Sequence, residues 1–571
     1  MHNQSIARFL FASLVALFFV GSFGFLLFQF WQYDTLVQTI LDGLHRQDLY
    51  TILTTKFFTP TKYEQVKMLA SIGSGLSFLM MLGLWYKREK AIHALTCFVQ
   101  DMAKAWQGFK KTFQFQTKTN RKLFYILLFF IFARSIYYAT AYFIQFDEAW
   151  NYNIFLHQHL FYSVVAYNNY PLHNLVTWFF VHGFPNSLLA MRMPSILIGI
   201  CNCVLVFCIV KKLLVNEISA LFAMIIFACL PVSVFYMLYA RGVLFEVFFA
   251  LLVIYFIIQF VEKGFSLKFI FYLALLNALG TYSMLSHPYF ILMSGIGIFF
   301  ILLFQKKGRQ LKYSVFYVLL SIACSALLLL PMYLGTGFSL GLEAAMSHSR
   351  FLSLHHVLPF HCYSDFITGS PYTFYALFFV NICFVWYGKT NAERIFYIAC
   401  LNLFLLSSVF IIPLFTHTYA VERAYSFLVI VPVMSIGMLF HILSLQWKYV
   451  LGLSSVVVLS ILSHTHDYLN WSKQLDKEVR QLSELYIAHQ ITEVYNTHTN
   501  YYYFVPGIEY YLNVQHQSML YTTSLQSSKR YKANGASKPC IVADSTFTDT
   551  NYFLLYRLKK MEVFIQKKTS H

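Results

Sequence analysis

Charged residues are scarce in this chain. Asp, Glu, Lys and Arg make up 12% of its 571 residues, whereas 58% of the residues are hydrophobic. Soluble globular domains carry about 25% charged residues, so this composition excludes an ordinary soluble protein. A mean hydropathy of +0.58 indicates instead a polytopic membrane protein, for which lipid is the main solvent.

Cysteine motifs are lacking as well. None of the ten cysteines stands in the Cys-x-x-Cys spacing of metal and redox sites. Cys201, Cys203 and Cys208 share one apolar run, where cysteine packs as a small hydrophobic residue. The sequence therefore gives no support to a zinc or disulfide framework. The excess of 42 Lys and Arg over 24 Asp and Glu is explained by membrane topology and anionic lipid, so nothing here requires nucleic acid.

Long apolar runs are what the sequence has instead. A membrane helix needs about 20 mostly apolar residues, and about thirteen runs of the chain meet that need. The first lacks a small-residue cleavage site, so it is predicted to be a retained helix rather than a signal peptide. The runs begin near Phe9, Met68, Leu123, Ser187, Ile218, Val243, Phe269, Tyr289, Tyr313, Tyr372, Ile395, Tyr425 and Tyr449.

Lys and Arg cluster in alternate loops between these runs. With Met1 on the cytoplasmic side, the basic loops at 87–122, 211–212, 306–312 and 389–394 all lie inside, as the positive-inside rule requires. The predicted location is therefore the inner (cell) membrane, with a cytoplasmic N-terminus. Residues 91–111 fit either an amphipathic helix on the inner leaflet or a plain linker.

Composition divides the chain into three predicted domains. Residues 1–122 hold two N-terminal transmembrane helices and the cytoplasmic linker. Residues 123–465 form a transmembrane catalytic core with two large outer loops, at 144–186 and 335–371. Residues 466–571 are predicted to form a soluble α/β domain on the outer side. Helical periodicity is found first, in SKQLDKEVRQLSELYIAHQI, and strand-like stretches follow it: NYYYFV, PCIVAD and MEVFIQ.

Two adjacent carboxylates, Asp147 and Glu148, stand at the predicted outer end of the run from Leu123. No Lys or Arg occurs from Gln145 to Met191, so a counter-charge must come from later helices or from a metal. In a partly desolvated pocket such a pair supplies a general base near neutral pH. It could equally bind a divalent cation such as Mg²⁺ or Mn²⁺, or be a pair exposed to water.

Further polar residues stand at predicted outer helix ends. Arg241, in YARGVLFEVFF, suits either a lipid phosphate or ordinary snorkelling at the interface. Arg192, two residues before Pro194, fits the same two interpretations. Glu422 and Arg423 are compatible with a structural ion pair or with contacts to donor or acceptor. Other candidates for substrate contact are Tyr170, His173, His182, Tyr239 and His287.

The order of these motifs resembles the polytopic glycosyltransferases of the GT-C fold. The resemblance is carried by Asp147-Glu148, by NYPLHNL followed by LAMRMPSILIG, and by YARGVLFEVFF at the next outer turn. It extends from about Leu123 to Arg423. The branch it resembles most is that of the bacterial relatives of protein O-mannosyltransferase, or dolichyl-phosphate-mannose-protein mannosyltransferase, and of the aminoarabinose transferase that modifies lipid A. The predicted fold class is thus an all-α polytopic GT-C protein with a small α/β C-terminal domain.

The resemblance implies an enzyme that transfers a sugar from a polyprenyl-phosphate donor to an acceptor hydroxyl at the outer face, with inversion. It implies that Asp147 is the base and that Glu148 positions the acceptor or helps to bind a metal. Arg241, and with it Arg192 and Arg423, would contact the departing lipid phosphate. The sugar and the acceptor, whether lipid, glycan or protein, stay open.

The sequence departs from the aminoarabinose branch at one place. Those relatives have a basic residue just before the proline of the first outer loop, where this chain has Tyr170 before Pro171. His173 or His182 could replace that phosphate contact.

The main alternative is a transporter or flippase of a lipid-linked glycan. Transporters typically show internal repeats and polar groups near the bilayer midplane. This sequence shows no repeat, and Arg134 is its one predicted mid-membrane charge. A polysaccharide polymerase or ligase on an unrelated fold would not need the acidic pair. A degenerate scaffold is disfavoured because both carboxylates and the downstream Arg241 are present.

Overall fold

A computed structural model describes most of the chain up to residue 442 and short segments after it. The chain forms two compact units. The first comprises Met1–Lys122, Val165–Tyr167 and Leu329–Ala344, and the second comprises Leu123–Val164, Asn168–Leu328 and Ala345–His571. The described residues are 2–44, 50, 54–55, 59–142, 144–156, 160–165, 170–184, 187–263, 267–336, 357–416, 422–442, 477–485, 488, 493–496, 521–522, 540–543, 552–557 and 562–566.

Four α-helices are described in residues 2–112 of the first unit. The third begins at Pro60 because Thr59 accepts a hydrogen bond from the Lys62 backbone at 3.3 Å and proline is favoured at the first helical position. Serines at 22 and 74, with hydroxyls 3.3 Å apart, join the first and third helices. Residues 91–111 are helical, and their place on the membrane surface stays a prediction. The helices are α1 (His2–Phe28), α2 (Tyr33–Leu44), α3 (Pro60–Tyr86) and α4 (Arg88–Thr112).

The second unit is a helical bundle up to residue 442. The described residues of its first large loop, at 144–186, are mostly helical. The helices before residue 264 are α5 (Lys118–Ala141), α6 (Phe146–Asn151), a π-helix (Tyr152–Leu156), α7 (Leu160–Val165), α8 (Pro171–Gly183), α9 (Leu188–Leu214), α10 (Glu217–Cys229), α11 (Pro231–Leu238) and α12 (Val243–Lys263). Those after it are α13 (Leu267–Ser283), α14 (Pro288–Phe304), a 3₁₀ turn (Gly308–Gln310), α15 (Leu311–Thr336), α16 (Val357–Thr368), α17 (Thr373–Asn391), α18 (Glu393–Thr416), a 3₁₀ helix (Glu422–Val429) and α19 (Ile430–Ile442).

Membrane-spanning helices make this a multi-pass membrane protein, although the predicted count of thirteen is not confirmed. Among the described residues seven helices are long and apolar enough to cross a membrane, or up to nine if each of two bent pairs is one span. Three of the predicted runs are apolar helices of at most 17 residues, and the predicted span near Tyr449 lies outside the described residues. The seven are Gln4–Phe28, Pro60–Tyr86, Lys118–Ala141, Leu188–Leu214, Gly308–Met332, Glu393–Phe415 and Glu422–Ile442.

The two bent pairs have identifiable causes. Helices α10 and α11 meet at 61° where Pro231 starts a new helix, because proline cannot donate its backbone nitrogen to the preceding turn. Helices α16 and α17 meet at 90°, and Gly369 between them has a φ of +74°, which glycine adopts without strain. A hydropathy pattern shows the apolar residues of such pairs but not the angle between them.

The core of the bundle surrounds α9, most of whose side chains are buried. Helices α10, α11 and α12 pack against it. Close approach is possible because Gly199 faces Met237: a Cβ at this glycine would lie 2.6 Å from the Met237 side chain. Asn202, fully buried, donates to the Leu244 carbonyl at 2.9 Å. The core thus fixes the helix ends on which the polar residues stand.

A five-stranded sheet follows the bundle. Strand order is β2-β1-β3-β5-β4; β1 pairs in parallel with β2 and β3, and β5 pairs antiparallel with β3 and β4. The predicted strands in PCIVAD and MEVFIQ are β3 and β5, while NYYYFV lies outside the described residues. Solubility of this region and its position outside the membrane stay predictions. The strands are β1 (Glu493–Asn496), β2 (Tyr521–Thr522), β3 (Cys540–Ala543), β4 (Tyr552–Arg557) and β5 (Glu562–Gln566).

Candidate active site

The acidic pair lies on α6, the short helix that follows α5. Glu148 helps to cap this helix, because the backbone N–H of Gln145 donates to Glu148 Oε2 at 3.0 Å, as in a capping box. This contact turns Glu148 inward. The side chain of Asp147 is 43% exposed, whereas that of Glu148 is completely buried. Adjacent in sequence, the two carboxylates therefore lie in different environments.

Two arginines from later parts of the chain meet the Asp147 carboxylate. An ion pair joins Arg241 Nη2 to Asp147 Oδ2, and Arg423 Nη1 lies 3.6 Å from the same oxygen. The Arg241 side chain is mostly buried and that of Arg423 is one-third exposed. These three residues, here named the Asp147 cluster, carry one negative and two positive formal charges. Such a net positive, partly open group is suited to bind an anion.

The backbone at Gly242 allows Arg241 to reach this position. A Cβ at Gly242 would lie 2.4 Å from the Ser283 carbonyl oxygen and 2.8 Å from the Tyr170 ring, so only glycine fits there. The turn is further held because the Arg241 N–H donates to the Tyr239 carbonyl at 2.8 Å. Tyr170 and Tyr239, both candidates for substrate contact, are buried and pack around this turn.

Glu148 and Arg192 form a second, buried ion pair. Arg192 Nη2 donates to Glu148 Oε2 at 2.7 Å and Nε donates to Oε1 at 3.1 Å, and both side chains have no exposed surface. The backbone N–H of Ala240 also donates to Oε1, at 2.6 Å. Arg192 Nη1 in turn donates to the carbonyls of Ala139 and Tyr142 at 2.8 and 3.0 Å. The pair joins α5, α6, α9 and the turn before Arg241.

This geometry corrects the expected roles of Arg192 and Glu148. Arg192 does not fit a contact to the lipid phosphate, because its guanidinium is buried and occupied by a carboxylate and two backbone carbonyls. Glu148 does not fit a metal ligand or an acceptor contact, because both of its oxygens already accept hydrogen bonds. Among the described residues no group of three or more His, Cys, Asp or Glu side chains could hold a metal ion. A Mg²⁺ or Mn²⁺ ion shared by Asp147 and Glu148 does not fit this arrangement.

The two histidines expected as phosphate contacts lie in contrasting places on α8. His173 is buried, where its Nε2 is 3.2 Å from Ser195 Oγ and 3.3 Å from Thr177 Oγ1. His182 is exposed and stacks on Trp178, with ring centroids 3.9 Å apart. Neither belongs to the Asp147 cluster, so neither replaces the missing basic residue of the first loop in this arrangement.

Burial gives His173 a pH dependence that can be measured. Helix α8 is not among the candidate spans, and burial lowers the pKa of His173 to about 4, against about 6.5 when unfolded. The unfolded chain therefore binds this proton first, and the stability that neutral His173 provides is complete above pH 6.5 and is lost as the pH falls towards 4. Between pH 7 and pH 5 the loss is about 2 kcal/mol.

We expect a His173→Gln variant to lose this part of the acid sensitivity. Thermal unfolding in detergent, followed at pH 7 and at pH 5, measures it as a smaller difference between the two melting temperatures than in the wild type. His182→Gln, on the same helix but exposed, is the control and keeps the wild-type difference. An unchanged difference in His173→Gln would show that folding does not lower the pKa of His173.

A buried network lies one turn deeper than the two arginines of the Asp147 cluster. Glu246 accepts a hydrogen bond from the Ser426 hydroxyl, and His287 Nδ1 is 3.7 Å from Glu246 Oε1. His287 Nε2 also lies 3.2 Å from Asn277 Oδ1. Since α12 follows Arg241 and the 3₁₀ helix Glu422–Val429 holds the other arginine, the network links the two elements that carry the guanidinium groups. His287 thus belongs to this buried network and not to the Asp147 cluster.

From its position at a predicted outer helix end, Glu246 was a candidate functional residue without a specific role, and Glu422 had two interpretations. The signal for Glu246 was available as a carboxylate within an apolar helix, five residues after Arg241. Glu422 is exposed, and among the described residues no ion pair joins it to Arg423, which pairs with Asp147 instead. The described residues thus give no support to a Glu422–Arg423 ion pair, and a contact of either residue with donor or acceptor stays a prediction.

Arg134 has a structural partner. Its Nη2 donates to the Ala228 carbonyl at 2.8 Å, in the last turn of α10. The break at Pro231 leaves carbonyls of that turn without helical partners, and Arg134 satisfies one of them. Arg134 was the one predicted mid-membrane charge, which is typical of a transporter. Its contact with the bent helix pair gives it a structural role instead.

A known protein family matches the middle of the chain. Residues 168–333 match the family model described as dolichyl-phosphate-mannose-protein mannosyltransferase. This region includes Arg192, Arg241 and His287, while Asp147 and Arg423 lie outside it. A search of curated proteins gave no match.

Several solved structures are similar to this chain. ArnT from Cupriavidus metallidurans bound to undecaprenyl phosphate shares 10% identity over 78% of this chain and 98% of its own, with a TM-score of 0.46. The same protein in the apo state shares 10% over 77% and 97%, with a TM-score of 0.48. The Archaeoglobus fulgidus oligosaccharyltransferase tethered with an acceptor peptide shares 12% over 71% and 57%, with a TM-score of 0.34. The resemblance to the mannosyltransferase family that the motifs predicted is supported by the family model over residues 168–333.

Proposed function

We propose that this protein is a glycosyltransferase that moves a sugar from a polyprenyl-phosphate donor to an acceptor hydroxyl. The observation that carries the proposal is the Asp147 cluster, in which one accessible carboxylate and two guanidinium groups converge from three distant parts of the chain. Such a group supplies what this transfer needs, a base for the acceptor and cations for the phosphate. The family match over residues 168–333 supports it independently.

In the proposed reaction the acceptor oxygen attacks the anomeric carbon of the donor sugar. Its proton passes to the Asp147 carboxylate, and the bond between the anomeric carbon and the phosphate oxygen breaks. Polyprenyl phosphate leaves with the bonding electron pair, and the configuration of the sugar inverts. Asp147 is exposed enough to receive an acceptor from the aqueous side, which a buried carboxylate such as Glu148 is not.

Arg241 and Arg423 neutralise the charge that develops on the leaving phosphate. Preorganised cations are effective here because they are in place before the charge appears, and guanidinium groups bind phosphate oxygens bidentately. Inversion requires the base and the leaving group on opposite sides of the sugar. The direct contact between Asp147 and Arg241 is therefore a resting arrangement, which the donor phosphate replaces by competing for the same guanidinium.

Glu148 and Arg192 act as the framework of the site. Their pair joins α6, which carries Asp147, to the turn that carries Arg241. Loss of the pair would displace both functional residues, although neither framework residue contacts substrate. No metal ion takes part in this scheme, because Arg241 and Arg423 already balance the phosphate charge.

The active site of the proposed enzyme lies, in our proposal, on the extracytoplasmic side. The Asp147 cluster lies at the ends of α5 and α12 that are opposite to the basic stretches at 118–122 and 263, and the positive-inside rule assigns such basic ends to the cytoplasm. The N-terminus is then cytoplasmic and the C-terminal sheet extracytoplasmic. In the inner membrane this arrangement gives the enzyme access to acceptors of the cell envelope, whether lipid, glycan or protein.

Transfer by the purified protein in detergent tests the proposal against the transporter alternative. Detergent removes the two compartments that a flippase needs, so release of polyprenyl phosphate together with sugar on an acceptor identifies an enzyme. Absence of transfer from a panel of polyprenyl-phosphate sugars to envelope acceptors, with the protein shown to be folded, would contradict the proposal.

We expect the two arginines of the cluster to differ in importance. Arg241→Gln, which removes the mostly buried direct contact, should lower the rate by roughly 10²–10³-fold, as does the loss of a transition-state hydrogen-bond donor. Arg423→Gln, at 3.6 Å and more exposed, should lower it roughly tenfold, because exposed charges are partly screened. Arg309→Gln, at the opposite end of the bundle, is the control with full activity. Equal transfer rates for all three variants would show that Arg241 and Arg423 do not stabilise the leaving phosphate.

A further inference from the structure

A cavity of about 420 Å³ lies in the second unit. Its apolar wall comes from the last turns of α9, α12 and α14 and from the first turns of α18. Along α9, Arg192 and the cavity residue Leu213 are 21 positions apart, which corresponds to about 32 Å of helix. That length equals the hydrocarbon thickness of a bilayer, about 30 Å. The cavity thus opens at the opposite membrane interface from the candidate active site.

The rim of the cavity carries two cations and one carboxylate. Lys307, Arg394 and Glu393 line it. Arg394 is held at the rim because its Nη1 donates to the Lys212 carbonyl at 3.3 Å, and Glu393 accepts a hydrogen bond from Tyr397. The net formal charge of the lining residues is therefore +1. A ligand with a single negative charge balances it.

The turn after α14 is built so that Lys307 returns to the cavity. Lys306 has a φ of +55°, and its N–H donates to the Leu303 carbonyl at 3.0 Å while the Lys307 N–H donates to the Leu302 carbonyl at 3.0 Å. These two bonds form a Schellman motif, whose left-handed position is usually glycine. Lysine occupies that position here, and the following lysine lines the cavity.

An unsatisfied acceptor lies in the same cavity. The side-chain oxygen Oε1 of Gln305 is buried and accepts no hydrogen bond from the described residues, and Gln305 lines the cavity. A buried acceptor without a donor is costly, so a ligand that brings a hydroxyl or amine next to it would gain stability. Cavity wall, rim charge and this acceptor together define three requirements: an apolar part, one negative charge and one hydrogen-bond donor.

We propose that this cavity binds the head group and first acyl carbons of an anionic glycerophospholipid. A phosphodiester carries one negative charge, which balances the net +1 of Lys307, Arg394 and Glu393. The head-group hydroxyl of a phosphatidylglycerol donates to Gln305 Oε1. The apolar wall receives the start of an acyl chain. Basic pockets between membrane helices on the cytoplasmic side are known places for anionic lipid head groups. This site is separate from the proposed sugar transfer and does not depend on it.

Phosphatidylethanolamine and phosphatidylcholine test the negative charge and the hydrogen-bond donor separately from the apolar part. The first has a donor but no net charge, and the second has neither a donor nor a net charge. We therefore expect dioleoylphosphatidylglycerol to raise the melting temperature of the purified full-length protein most, phosphatidylethanolamine less, and phosphatidylcholine least. Soluble glycerol phosphate, which lacks the acyl chain, should leave it unchanged. A shift with glycerol phosphate equal to that with the lipid, or the reverse order of lipids, would overturn the proposal.

Paired variants assign the effect to this cavity. In native mass spectrometry with added phosphatidylglycerol, the double variant Lys307→Gln/Arg394→Gln should bind at least roughly tenfold more weakly than wild type, since each lost charge-assisted contact weakens binding by about that factor. Arg309→Gln/Lys389→Gln removes the same charge from exposed residues at the same end of the bundle and should bind as wild type.

A third variant keeps the test decisive if the double variant is poorly folded. Gln305→Leu removes the buried acceptor without changing the charge, so it should reduce the advantage of phosphatidylglycerol over phosphatidylcholine. If it binds both lipids as the wild type does, or if the control double variant loses as much binding as the cavity variant, the assignment to this cavity is wrong.

Discussion

An Asp147→Asn variant should fold and insert normally but lose sugar transfer by roughly 10²–10⁴-fold, the usual cost of removing a general base. Asparagine has nearly the shape of aspartate but cannot take the acceptor proton. The effect on stability should be small, because the Asp147 side chain is 43% exposed and the asparagine amide oxygen can still accept a hydrogen bond from Arg241. The measurement is the turnover of a polyprenyl-phosphate sugar by purified protein, together with its melting temperature.

Two matched variants make this result specific. Asp365→Asn changes an exposed carboxylate on α16, outside the Asp147 cluster, and should keep full activity. Asp147→Glu keeps the base but moves it by one methylene, so a partial activity is expected. Full transfer by a folded Asp147→Asn protein would exclude Asp147 as the base, and with it the assignment of the site.

The second large effect concerns the buried pair of Glu148 and Arg192. Replacing Arg192 by Met leaves the Glu148 carboxylate buried without its counter-charge, which costs about 3–5 kcal/mol. We therefore expect Arg192→Met and Glu148→Met to lower the melting temperature strongly and to reduce the yield of folded protein. The double variant should be less destabilised than the sum of the two single variants, because it leaves no buried charge.

Fluorescence-detected size-exclusion chromatography after heating measures these differences. The control is Glu89→Ala, which breaks the exposed ion pair of Arg88 and Glu89 (3.5 Å, with side chains 59% and 84% exposed) and should be neutral. The experiment separates two roles of Arg192. A phosphate-binding arginine would leave a stable protein with a raised KM for the donor, so a stable Arg192→Met variant of that kind would refute the framework role.

Much of the site was predictable because local patterns point to it. The apolar run before Asp147, the absence of a nearby cation and the position of Arg241 at a helix end are all visible in the sequence. They predicted that the counter-charge comes from later helices or from a metal, and in the structure Arg241 and Arg423 lie beside Asp147. The mannosyltransferase match over residues 168–333 agrees with the motif order from which the resemblance was inferred.

Other assignments required the tertiary structure. Glu148 and Arg192 are 44 residues apart, and no local pattern states that they meet. From sequence, Arg192 was a candidate phosphate contact after Arg241, and Glu148 was a candidate metal ligand together with Asp147. The predicted count of thirteen spans is also not confirmed, because Pro231 divides one apolar run into a bent pair and three other runs are helices of at most 17 residues.

The sequence by itself determined the class of protein, the positions of the apolar helices, the polarity of their ends and the resemblance to lipid-linked glycosyltransferases. These properties follow from composition and periodicity, which are local features that can be recognised within a few turns of helix. The tertiary structure alone decided which of two neighbouring carboxylates is exposed and which arginines it meets. The physical reason is that the capping contact of Glu148 and its pairing with Arg192 turn one side chain inward, and helix packing then brings Arg241 and Arg423 to the other.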